Sequence, residues 1–192
     1  MGLFRRRPKL PAAERPPLER EERILCWTRT DGVAGRDAGE DADVGDGSVR
    51  GGVLVVTNRG LWLPDQEQRL GWHRVHKAAW SGQELAITPA EVVAERDGYA
   101  VMADQPVRVY RLPDPGDVPH QVRVRVTSSV GYTAHHRLPG GGVRVVARRV
   151  SGVDGLTWTV RYDPGTPMDD PKVVEETDRL VAAARTASTP RD

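Results

Sequence analysis

Hydrophobic and polar positions alternate in short runs through most of this chain, and turn residues separate the runs. Arg-Ile-Leu-Cys-Trp-Thr-Arg, within residues 22–30, predicts a first strand. After an interruption at 31–48, strands are predicted at 52–57, 60–64, 69–73, 76–81, 84–88, 91–96, 99–103 and 106–112. Asn58-Arg59, Asp65-Gln66, Ser81-Gly82, Asp97-Gly98 and Asp104-Gln105-Pro106 supply the turns, and Arg74-Val75 reads as a kink. Asp97-Gly98 is the clearest hairpin signal, because both residues accept positive φ. The loudest local feature, Val53-Leu-Val-Val-Thr-Asn-Arg-Gly-Leu-Trp-Leu-Pro64, places Thr57-Asn58-Arg59-Gly60 between two apolar runs. Its first reading is a turn, with Asn58 capping backbone; its second puts Arg59 at a rim, open to an anion.

A proline-rich connector, Leu112-Pro-Asp-Pro-Gly-Asp-Val-Pro119, divides the chain. Beyond it the pattern is ambiguous. Val122, Val124 and Val126 alternate as in a strand, while Val118, Val122, Val126 and Val130 repeat every four residues as in a helix. Asp117 as N-cap and Pro119 in the first turn tilt the reading slightly to helix. Strands are predicted at 131–138, 143–150 and 156–162, the last with Trp158, Val160 and Tyr162 on one face. The chain closes on a predicted helix over 170–186: Asp170 caps it, and Val173, Thr177, Leu180, Val181 and Ala184 form one stripe. The organisation is then a disordered tail over 1–20, a β-domain over 21–112, an α-β-β-β-α unit over 113–187 and a disordered end at 188–192.

Composition changes this picture in three ways. Of 28 basic residues only Lys9, Lys77 and Lys172 are lysines, while Asn and Phe occur once each. That bias fits a GC-rich genome, so arginine abundance alone does not mark phosphate sites. One cysteine, Cys26, excludes an internal disulfide and a cysteine-based metal centre, and no apolar run reaches the ~18 residues of a membrane span. A cytoplasmic location is the expectation. Third, no acidic residue lies between Asp117 and Asp154, where Arg123, Arg125, Arg137, Arg144, Arg148 and Arg149 all fall. The formal charge of the whole chain is +1, so this +6 segment leaves the remainder net acidic by five.

The run Leu-Val-Val-Thr-Asn-Arg-Gly-Leu-Trp-Leu, followed by Leu70-Gly-Trp-His-Arg-Val75 and Ala79-Trp80-Ser-Gly-Gln-Glu-Leu85-Ala-Ile87, resembles bacterial PH-like (GRAM-type) domains. The resemblance covers about residues 22–112 and departs from the usual pattern at Gly60, where Arg is common, and at Gly71, where Pro is common. With the connector, Val122–Val130, Val143–Arg149, Trp158 and Asp163-Pro-Gly165, the whole is similar to an uncharacterised protein family of GC-rich bacteria that carries both halves in this order. The resemblance implies an α+β fold: a PH-like antiparallel β-domain forming a sheet or partial barrel, then a smaller unit with helix at 119–130. It implies no activity.

Candidate chemistry is thin. His73 and His76, three apart on a strand, would point to opposite faces, and His135 and His136 diverge likewise. The Asp41–Gly52 stretch has the wrong spacing for a calcium loop, with Gly52 at the twelfth position. No Gly-x-Ser-x-Gly elbow surrounds Ser128 or Ser129, and Gly140-Gly-Gly142 lacks the Lys-Ser/Thr of a phosphate loop. No catalytic, metal or cofactor residue is assigned. The expectation is a non-enzymatic interaction or scaffold module with a protein partner. Two alternatives stand beside it: a binder of nucleic acid or anionic membrane through residues 118–153, and an enzyme whose site is scattered in sequence. Arg59, Arg123, Arg125, Arg144, Arg148 and Arg149 are the candidate anion- or partner-binding residues. The sequence does not give the oligomeric state.

Overall fold

A computed structural model describes residues 9–36 and 51–188. In chain order these residues form β1 (Ile24–Arg29), β2 (Val33–Arg36), β3 (Val53–Thr57), β4 (Gly60–Trp62), β5 (Leu70–Gly71), β6 (Val75–Trp80), β7 (Glu84–Arg96), β8 (Tyr99–Asp104) and β9 (Val107–Arg111). Then follow α1 (Val118–Ser129), β10 (Val130–Leu138), β11 (Gly141–Arg148), β12 (Thr157–Tyr162) and α2 (Pro171–Ser188). The fold is α+β and mostly strand, with a curled half-barrel sheet and a C-terminal helix. No helix among the described residues is long and apolar enough to cross a membrane.

Two sheets carry the architecture. One is the antiparallel sheet β1-β3-β4-β5; the other runs β10-β11-β12-β8-β7-β9-β2, with β6 also paired to β7. Strand β7 joins the parts. Its first residues pair with β6 and β9, and from Ala90 onward it pairs with β8. Pro89 stands at this hand-over, where its missing N–H interrupts the ladder least. Separate strands at 84–88 and 91–96 were the expectation, and the chain forms one continuous strand with a register shift between Val92 and Ala94. Strand β8 then pairs in parallel with β12, Thr159 opposite Ala100 and Val160 opposite Val101.

The apolar residues gather into two cores that do not divide at the proline connector. The first contains Leu54, Val56, Leu61, Trp72, Ile87 and Tyr110, and also Val118 and Val122 of α1. The second contains Val143, Val145, Trp158, Val160, Val173 and Val181, and also Tyr99 and Val101 of β8. Each half thus lends an element to the other. Helix α1 covers the first core with its four-residue valine repeat, which resolves the ambiguity at 119–130 as helix.

Other expectations need correction. Residues 9–20, expected within a disordered tail, are mostly exposed but contact the strands at a few points. Leu10 is buried, and Glu14 and Glu19 pair with Arg29 and Arg59. Their acids find the arginines of the first sheet, a pairing that local composition does not disclose. Strand β2 occupies part of the interruption expected over 31–48 and pairs with β9; residues 37–48, which hold most of the rejected calcium loop, lie outside the described residues. The expected kink is a 3₁₀ turn at Trp72–Arg74, so the strand expected over 69–73 shortens to β5. Asp117 sits at the N-cap of α1 without a side-chain bond to the helix backbone; its carboxylate accepts from Gln121 Nε2 at 2.8 Å.

Candidate functional site: a basic pocket at the junction

The Thr57–Gly60 turn is first a structural clamp. Thr57 Oγ1 accepts from the N–H groups of Arg59 (3.1 Å) and Gly60 (3.0 Å), and its hydroxyl lies 2.7 Å from Glu22 Oε1. Asn58 Oδ1 accepts from the Arg23 N–H at 2.7 Å, and Asn58 Nδ2 donates to the Glu21 carbonyl at 3.1 Å. Behind the turn, the Glu22 side chain is fully buried and also accepts from Trp62 Nε1 (3.1 Å) and Arg69 Nη1 (2.7 Å). Burial pushes its carboxyl up, but the bonds from Thr57, the Glu19 backbone and Trp62, with Arg69, outweigh that and hold it below the usual range. The two glycines that depart from the PH-like pattern face each other across β4 and β5. A Cβ on Gly71 would come within 2.6 Å of His73 Cε1, so glycine lets the histidine fold back.

This clamp carries Arg59 to a junction. A pocket of about 170 Å³ is lined by Asn58 and Arg59 of the turn, by Trp72 and His73 of the 3₁₀ turn, by Arg125, Ser128 and Ser129 of α1, and by Arg149 and Ser151 after β11. Three of the six candidate arginines therefore meet here, from segments far apart in sequence. Arg59 is partly neutralised by Glu19 at 2.8 Å and Glu21 at 3.7 Å. Among the described residues Arg125 and Arg149 meet no carboxylate. The Nε of Arg125 is buried without a partner, and the Arg149 guanidinium donates a 3.4 Å bond from Nη1 to the Ser128 carbonyl. Burial, then the charges of Arg74, Arg148 and Arg69, lower the pKa of His73 and keep it neutral near pH 7. Such a site offers donors and positive charge to an anion.

The chain matches no family model, no curated protein and no solved structure.

The remaining candidates lie elsewhere. Arg123 is exposed on α1. Arg144 lies on the face of the second sheet away from α2, opposite His135 on one side and Arg161 on the other. Arg148 is buried, and its Nη1 donates to Ser129 Oγ at 2.8 Å. Arg144 and Arg148 thus line one small cavity together, while Arg123 lies apart on α1. Sequence reasoning missed a further cluster: His76 Nδ1 is 2.5 Å from Asp104 Oδ1, and Arg161 Nη1 donates to both oxygens of that carboxylate, at 3.0 and 2.8 Å. This cluster ties β6 to β8 and β12. The cavity beside it, about 60 Å³, is well below the size of small-molecule sites. The His-Asp spacing of 28 residues gives no local signal of the contact. Among the described residues no three His, Cys, Asp or Glu side chains gather to hold a metal ion.

Proposed function

We propose that this protein is a non-enzymatic, cytoplasmic interaction module, its first unit PH-like, which holds an acidic segment of a protein partner at the Arg59–Arg125–Arg149 pocket. The observation that carries the reading is the convergence of three arginines from three segments, two of them facing no carboxylate among the described residues. Charge-assisted bonds from such guanidinium groups are about twice as strong as neutral ones. The PH-like part is supported by the antiparallel sheet β1-β3-β4-β5, by the antiparallel β6-β7-β9 strands that share its core, and by α1 covering that core. The test is fluorescence anisotropy with a labelled Glu/Asp decapeptide and a neutral decapeptide of equal length. The acidic peptide should bind at low salt, and affinity should fall at least tenfold in Arg125→Ala/Arg149→Ala with the melting temperature checked. Equal binding of the neutral peptide, or none at low salt, contradicts the proposal.

A second reading, a nucleic-acid or anionic-membrane binder, draws on the cross-strand row His135–Arg144–Arg161. Asp163 and Asp104 pair with its outer members, leaving Arg144 as the main contributor. Retention on heparin that is lost in Arg144→Ala but kept in Arg125→Ala/Arg149→Ala would favour this second reading.

A further inference from the structure

Beside the basic pocket lies a larger cavity, of about 550 Å³, whose floor includes Arg148 and whose walls include Val92, Val153, Leu156 and Trp158. That volume is within the range of small-molecule sites. Arg148 is only 7% exposed, and among the described residues its guanidinium meets no carboxylate. An arginine buried without a counter-ion is costly, because desolvation is not repaid by a partner charge. Burial and the nearby Arg161 both depress its pKa, as expected where no acid compensates. A second guanidinium on the same cavity, Arg96, has its Nε buried without a hydrogen-bond partner. At the mouth, Val92 and Val153 are 39% and 54% exposed, apolar surface that a ligand would cover with gain. Glu95, Arg74 and Arg96 also line the cavity, and Arg96 pairs with Asp169 at 3.7 Å.

We infer that this cavity binds a small amphiphilic carboxylate, its anionic end on Arg148 and its apolar body against Val92, Val153 and Leu156. The planar guanidinium fork of buried Arg148 matches a carboxylate, and the apolar residues on the same cavity suit a ligand with an apolar body. This cavity adjoins the partner pocket, sharing His73 with it, but Arg148 does not line that pocket, so the inference stands whether or not an acidic peptide binds there.

Isothermal titration with octanoate, and with octanamide as the neutral counterpart, tests the inference on the full chain. Octanoate is expected to bind with a Kd below about 1 mM, which is about −4 kcal/mol, and octanamide at least tenfold more weakly. Arg148→Met should lose octanoate binding by tenfold or more. Because that variant alters a buried position, Val153→Glu serves as the second: it sits at the exposed mouth, places a like charge there, and should lose binding equally with an unchanged melting temperature. Equal affinity for octanoate and octanamide, no heat with octanoate, or undiminished binding in Val153→Glu would overturn the inference.

Discussion

At the scale of single residues, Glu22 holds the start of the fold. Its carboxylate joins Thr57, Trp62, Arg69 and the Glu19 backbone, so Glu22→Gln leaves Arg69 without its buried partner. A loss of about 3 kcal/mol is expected in urea denaturation. The histidines give a pH signature. Burial, the leading cause in each case, lowers the pKa of His73 and His76. A group depressed in the folded state stabilises fully above its unfolded value and loses that contribution as pH falls. The lowered carboxyls of Glu22 and Asp104 act in the same direction at lower pH. Stability should therefore be level above pH 7 and decline below about pH 6.5, where the unfolded histidines take up protons. Melting temperatures from pH 8 to 4 check this; a rise on acidification would contradict it. The turn at Thr57–Gly60 was legible in the sequence as a turn, because Thr, Asn and Gly carry their own turn chemistry. Glu22 was not, since its side-chain partners Thr57, Trp62 and Arg69 lie 35 to 47 residues away.

At the scale of elements, α2 was the most legible. Asp170 Oδ1 accepts from the Lys172 N–H at 2.8 Å, and Val173, Thr177, Val181 and Ala184 are buried on the expected stripe. Val181→Ala should cost about 2 kcal/mol by opening the second core, whereas Ala183, on the exposed face, should tolerate Lys with little change in melting temperature. Helix α1 was less legible because valines at both two- and four-residue spacing satisfy either period. What decides it is tertiary: Val118 and Val122 reach full burial only against the first core. The continuity of β7 was hidden for a related reason, since Pro89 is tolerated where the strand changes partners.

At the scale of the molecule, the halves interlock through α1, β7 and β8, so cutting at the connector should damage both. A fragment ending at residue 112 lacks Val118 and Val122 from its core, and one beginning at 113 lacks Tyr99 and Val101 from its own. Neither fragment should show a cooperative melt, while the full chain should. Composition could not reveal this arrangement, nor the meeting of Arg59, Arg125 and Arg149, which depends on α1 crossing back to the first core. The central claim is that this crossing builds one anion site from separate segments. A double-mutant cycle with Arg125→Ala and Arg149→Ala, read as affinity for the acidic decapeptide, tests it most directly. The account predicts a coupling of about 1 kcal/mol or more, since both guanidinium groups address the same anion. Strictly additive losses, or no loss from either variant, would contradict it.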